Sequence, residues 1–262
     1  MDFQMLVPIA LGWIAGLFVN YTADVLPRTR QFSQPVCRNC ETHYSWLDYL
    51  TLRACRSCGI VRSMRTWLVQ ILAAASFAYF WLNPPRALGL PLSLIVLVYF
   101  AVITVIDLEH RLILFPTSVF GAALGLLVGT LVYQKVLGQT VLEGMGSSLL
   151  GGAIGFGVMF VVYRIGMLVA RYRARKMMEA GQADDEEEAF GGGDVYLAGV
   201  LGLMLGSHFI INGLTYGVLL GGLASVLFLV AMRVRGASQA LMTFIPYGPY
   251  LIAGAFYVLF LG

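Results

Sequence analysis

Apolar residues fall in eight blocks, roughly 4–23, 67–83, 91–107, 117–133, 145–169, 194–206, 208–231 and 243–261. Each is near the length a helix needs to cross a bilayer, or somewhat short of it. The pattern predicts an all-α polytopic bundle of about eight transmembrane helices. The sixth block is the shortest. About 13 residues at 1.5 Å each cannot cross a hydrocarbon core of about 30 Å unaided. It is therefore either broken or a helix reaching inward from the bilayer edge. Glycines recur in the blocks, as at Gly151-Gly152 and Gly221-Gly222. Small residues let transmembrane helices pack closely. The first block lacks a positive leader region and runs on to Val19 without a clear cleavage site. It reads as a retained helix rather than a signal peptide.

Composition agrees with this. The 262 residues are 59% hydrophobic and 12% charged, with mean hydropathy +0.80. A soluble domain is nearer half apolar and a quarter charged. The length allows one helical bundle plus a small extramembrane module. Of the 17 Lys and Arg residues, all but Arg86, Lys135 and Arg164 fall in connections on one side of the predicted membrane. By the positive-inside rule that side is cytoplasmic, and both termini are outside.

All four cysteines lie in the first cytoplasmic connection, as Cys37-Arg38-Asn39-Cys40 and Cys55-Arg56-Ser57-Cys58. Two C-x-x-C pairs suit a four-thiolate zinc site, each pair giving two ligands of a tetrahedron. Such a site is structural, since no coordination position stays open. Two disulfides or free redox thiols are the alternatives, and a reducing cytoplasm opposes the disulfides. The arginine beside each pair favours the thiolate form. His43, between the pairs, is a spare candidate ligand or a surface residue.

Two acids stand out. Asp107 ends the third apolar block, and Asp194 opens the sixth after Gly191, Gly192 and Gly193. Three glycines let the chain bend and let other groups come close to the carboxylate. An ionisable group at a membrane boundary is costly and marks a candidate functional site. Both acids fall at the cytoplasmic ends of their helices. Two carboxyl groups that share one proton can hydrolyse a peptide bond without a metal. The structural alternative is that each caps a helix or meets an arginine. That suits Asp194 at a helix N-terminus better than Asp107 at a C-terminus, where the dipole disfavours a carboxylate. The acidic run Asp184-Asp185-Glu186-Glu187-Glu188 reads as a solvated, flexible loop within 170–190.

The Gly191–Asp194 segment fits the G-x-G-D motif of intramembrane aspartyl proteases, and the whole chain resembles the bacterial type IV prepilin peptidases. The likeness rests on Val25-Leu26-Pro27 closing the first helix, the paired C-x-x-C loop and Ile106-Asp107-Leu108-Glu109-His110-Arg111 through Pro116. It rests also on Gly193-Asp194-Val195 with Leu197 to Gly202, and on Ile245-Pro246-Tyr247-Gly248-Pro249-Tyr250. The chain departs from the family pattern at three places: Tyr196 stands where a lysine is usual, Gln70 where a glutamate is, and Asp24 where the exit of the first helix differs. The resemblance implies a membrane-embedded aspartic endopeptidase that removes the leader of type IV prepilins or pseudopilins at the cytoplasmic face of a bacterial inner membrane. It implies Asp107 and Asp194 as catalytic. It also implies methylation of the new N-terminus from S-adenosylmethionine by an N-terminal part, about 1–90 with the cysteine module at 24–66, beside a peptidase part, 91–262. No dinucleotide-like glycine loop marks a methyl-donor site, so methylation rests on the resemblance alone. The expected partners are the pilin substrate and the lipid bilayer, with no nucleic acid. The rival functions are a proton- or cation-coupled transporter using the two aspartates, and a non-catalytic zinc-anchored scaffold. No acid lies at a bilayer midplane, where transporter sites usually fall.

Overall fold

The computed structural model describes residues 5–179, 191–234 and 246–261. These are helical almost throughout, and among them the only β pairing is an isolated bridge between Val36 and His43. The helices are α1 (Leu6–Thr29), α2 (Trp46–Leu50), α3 (Met64–Leu82), α4 (Leu90–His110), α5 (Phe115–Leu137), α6 (Val141–Glu179), α7 (Gly193–Val234) and α8 (Gly248–Phe256). A π-helical turn, Tyr257–Leu261, extends α8. Every apolar block of the sequence with described residues lies on one of these helices, and α7 carries two. Among the described residues, five helices are long and apolar enough to cross a membrane, namely α1, α4, α5, α6 and α7. Leu149, Leu150, Val161 and Leu168 on α6 are all exposed. A continuous apolar surface of this kind is stable against lipid, not water. The protein is a multi-pass membrane protein.

The chain divides into two compact units, Met1–His110 and Arg111–Gly262. In the first, α1 packs against α3 and α4. Its buried residues Pro8, Gly12, Gly16, Val19, Asn20 and Ala23 recur at three- and four-residue steps and so line one face. Gly12 abuts Ala74, Gly16 abuts Gln70, and the Asn20 amide donates to the Thr66 carbonyl at 3.2 Å. Numbers rise along α1 as they fall along α3, so the pair is antiparallel.

In the second unit, α7 packs against α5, α6 and α8. At the seam with α6, a Cβ on Gly202 would collide with the Gly151 carbonyl. Only small residues allow backbones this close. The short sixth block is explained by Gly206, whose φ of 67° and ψ of 177° interrupt α7. That conformation is essentially open to glycine alone. The Leu205 side chain lies 2.5 Å from where a Gly213 Cβ would stand. In a straight helix those residues would be about 12 Å apart along the axis. The chain thus bends sharply at Gly206, and α7 is a broken helix. Tyr133 fills the bend, its hydroxyl accepting from the His208 backbone N–H at 2.8 Å.

One expectation needs correction. The loop expected over 170–190 begins later, because α6 continues to Glu179 and carries Arg171, Arg173, Arg175 and Lys176 with it. The residues there, Ala170 to Glu179, are mostly strong helix formers. The acidic run 184–188 lies outside the described residues.

Candidate functional site

The cysteine module is two copies of one turn. In the first, the Cys37 N–H donates to the Thr42 carbonyl at 2.9 Å and the Glu41 N–H to the Cys37 carbonyl at 3.1 Å. In the second, the Cys55 N–H donates to Ile60 at 3.0 Å and the Gly59 N–H to Cys55 at 2.8 Å. The fifth residue of each turn takes the left-handed conformation, φ 56° at Glu41 and 70° at Gly59. Each turn thereby aims two sulfurs at a common point.

The four sulfurs lie within 4.8 Å of one another. Cys37 and Cys58 approach to 3.7 Å, Cys40 and Cys55 to 3.6 Å. A tetrahedral ion with metal–sulfur bonds of about 2.3 Å needs sulfur–sulfur edges of about 3.8 Å. The donor set fits such an ion, and these cysteines could hold one metal. His43 takes no part in the cluster, and pairs through its backbone with Val36.

Thiol chemistry agrees. Backbone N–H groups of Cys58 and Ser57 push the Cys55 thiol down to about 6. The Ile60 N–H pulls the Cys58 thiol down, but burial and the neighbouring thiols outweigh it and push it up to about 11. Four crowded sulfurs cannot all ionise unless a cation joins them. Around them, Cys37, Cys55, Tyr44 and Tyr49 form a small buried core. The Arg62 guanidinium lies over both tyrosine rings, 4.1 and 4.3 Å from their centroids.

One turn of chain away is an ion network absent from the sequence reading. Arg38, inside the first cysteine pair, reaches Asp24 of α1 at 2.8 Å and Glu109 of α4 at 2.7 Å. Arg65, in the first turn of α3, pairs with the same two carboxylates. The Tyr49 hydroxyl donates to the second oxygen of Asp24 at 2.5 Å. The hydrogen bond from Arg38 to Glu109 is the main reason the Arg38 guanidinium is held above its ordinary value. The only sequence signal was an arginine between two ligands.

Asp107 lies in the last turn of α4 and is 5% exposed. Glu109, two residues on, is a member of the network just described. Asp194 lies in the first turn of α7, half-buried. Its N–H donates to the Gly191 carbonyl at 3.2 Å. Gly191 and Gly192 stand in open space, whereas a Cβ on Gly193 would come within 2.8 Å of the Ile113 Cβ. Of the three glycines, Gly193 is the one the packing requires. Of the departures from the family pattern, Gln70 is fully buried against Gly16, Asp24 is paired as above, and Tyr196 is exposed with its ring against Phe156.

Comparison with known proteins adds three findings. The profile of the type IV leader peptidase family matches residues 94–226. The chain is similar to a prepilin leader peptidase/N-methyltransferase of Myxococcus xanthus (strain DK1622), 26% identical over 235 residues, which cover 86% of this chain. The match spans 63% of that relative's length. No solved structure matches the chain.

Proposed function

Because the chain belongs to the type IV leader peptidase family, with half its length inside the family profile, we propose that it is an aspartic endopeptidase that removes the leader from type IV prepilins or pseudopilins. The observation that carries the proposal is an aspartate at the end of each of two helices inside the matched region, Asp107 on α4 and Asp194 on α7. One of the two carboxyl groups must be ionised and the other protonated, and we assign the ionised state to Asp194. Asp194 accepts a proton from the attacking water. Asp107 brings the proton that hydrogen-bonds the scissile carbonyl and later reaches the leaving amine. We assign a structural zinc ion to Cys37, Cys40, Cys55 and Cys58, where it would hold the two turns together.

The test is to incubate the purified protein with a prepilin-like peptide and follow mass. Two fragments meeting at the leader boundary are expected. An intact peptide, with proton or cation flux across proteoliposomes, would favour a transporter instead. We also propose methylation of the new N-terminus by about residues 1–90, in keeping with the name of the Myxococcus relative. S-adenosylmethionine in the same assay should add the mass of one methylene to the mature fragment. Asp107→Asn protein should still methylate a pre-cleaved peptide, and its failure where wild type succeeds would mean shared residues.

We place the cysteine module and both aspartates at the cytoplasmic face of a bacterial inner membrane, from the distribution of Arg and Lys. A reporter active only in the cytoplasm, fused after Gly262, should then be silent. Activity there would change the number of crossings by one.

A further inference from the structure

We propose that Arg38 is a positioning residue for Asp107, and that the cysteine module thereby sets the geometry of the peptidase site. The inference rests on the proposed peptidase function and adds to it a route by which the metal loop governs catalysis.

Arg38 stands between Cys37 and Cys40, so its backbone is fixed by the turn that aims those two sulfurs. From there Nη2 bridges Asp24 at 2.8 Å and Glu109 at 2.7 Å, with Nη1 3.4 Å from the other oxygen of Glu109. Arg65 reaches Glu109 through Nε at 3.1 Å and pairs with Asp24 through Nη2. Two arginines and two carboxylates thus tie the cysteine loop and the ends of α1, α3 and α4 at one point.

Helix electrostatics do not account for these charges locally. Glu109 is in the last turn of α4 and Arg65 in the first turn of α3. Each is at the end of its helix where the dipole disfavours its sign. Glu109 pairs with Arg38 and Arg65, with His110 Nε2 3.8 Å away, and Arg65 pairs with Glu109 and Asp24. The side chains of Asp24, Arg65 and Glu109 are 14%, 16% and 23% exposed, so water screens the Arg65 pairs weakly, whereas Arg38 is 44% exposed. Ion pairs of this kind add little net stability. What they supply is position, because a guanidinium held on two carboxylates fixes direction as well as distance.

The position fixed is that of Asp107. Glu109 is two residues beyond it, on the same helical turn. A carboxyl group that must meet a water and a carbonyl loses rate steeply when displaced by about 1 Å. If the loop loses its order, Arg38 leaves Glu109, and the end of α4 loses its tie to the cysteine loop while its pair with Arg65 remains.

The experiment uses the full chain in lipid nanodiscs. Arg38→Ala should keep about one metal per chain, as the four-thiolate site requires. Its kcat for the peptide should fall about ten- to hundredfold with KM little changed. Arg38→Lys, which keeps charge but loses the fork, should recover part of the loss. Glu109→Gln removes the same contact from α4, away from the cysteines, and should reproduce the fall even if Arg38→Ala folds poorly. Hydrogen exchange at amides 104–110 supplies a readout independent of cleavage. It should quicken in both variants, and in wild type stripped by a chelator, with no further increase when Arg38→Ala is stripped. Unchanged kcat and exchange in both variants, or metal removal that leaves amides 104–110 protected, overturns the inference. A wild type that does not cleave, while exchange still responds, overturns the peptidase function and leaves the mechanical coupling standing.

Discussion

Asp107→Asn and Asp194→Asn should each abolish leader removal while leaving the protein folded and inserted. General acid–base groups contribute about 10^2- to 10^4-fold each, and in the proposed mechanism the two are halves of one proton-sharing unit. Asparagine has nearly the volume of aspartate, so packing at buried Asp107 survives the change. It can neither accept a proton from water at position 194 nor deliver one at position 107. The two single variants and the double variant should therefore be about equally inactive, as groups that act as a unit are not additive. Helix content and membrane insertion serve as the control. Substantial cleavage by either single variant would rule out a shared role.

The second large effect is expected at the cysteines. The module between α1 and α3 has a small core built around Cys37, Tyr44, Tyr49 and Cys55, with Tyr21 and Cys40 at its edge. A segment this small rarely folds without a staple. Structural zinc contributes about 10–16 kcal/mol to the folding of small metal domains. Cys37→Ser or Cys55→Ser should lower metal content from about one per chain to nearly none. Amides 37–60 should lose their protection from exchange, while those of the antiparallel α1–α3 pair keep theirs. Metal-free protein whose four thiols still resist alkylation would contradict a metal-built module.

Much of the architecture is legible in the sequence because lipid imposes a simple rule. A crossing must be apolar on all sides, so helix positions follow from hydropathy. Even the break in α7 shows, as a sixth block too short to span. Its cause, φ 67° at Gly206 with Tyr133 packed into the bend, depends on residues far apart in the chain. The metal site is legible because each C-x-x-C pair is a local turn with its own hydrogen bonds. The ion network is not. Arg38 and Glu109 are 71 residues apart, and no periodicity links them. The continuation of α6 past residue 170 was hidden for another reason. Charged residues there suggested a loop, yet Arg, Lys and Glu are good helix formers once the helix leaves the membrane.

The central claim is that the carboxyl groups of Asp107 and Asp194 share one proton, which requires them to be neighbours. Asp107→Cys and Asp194→Cys can be combined in one chain and oxidised in native membranes, with the bridged peptides identified by mass spectrometry. A disulfide forms only when the Cα atoms are within about 7 Å. The peptidase mechanism predicts a rapid bridge between positions 107 and 194. Two thiols that both react with an alkylating agent yet never join would contradict it.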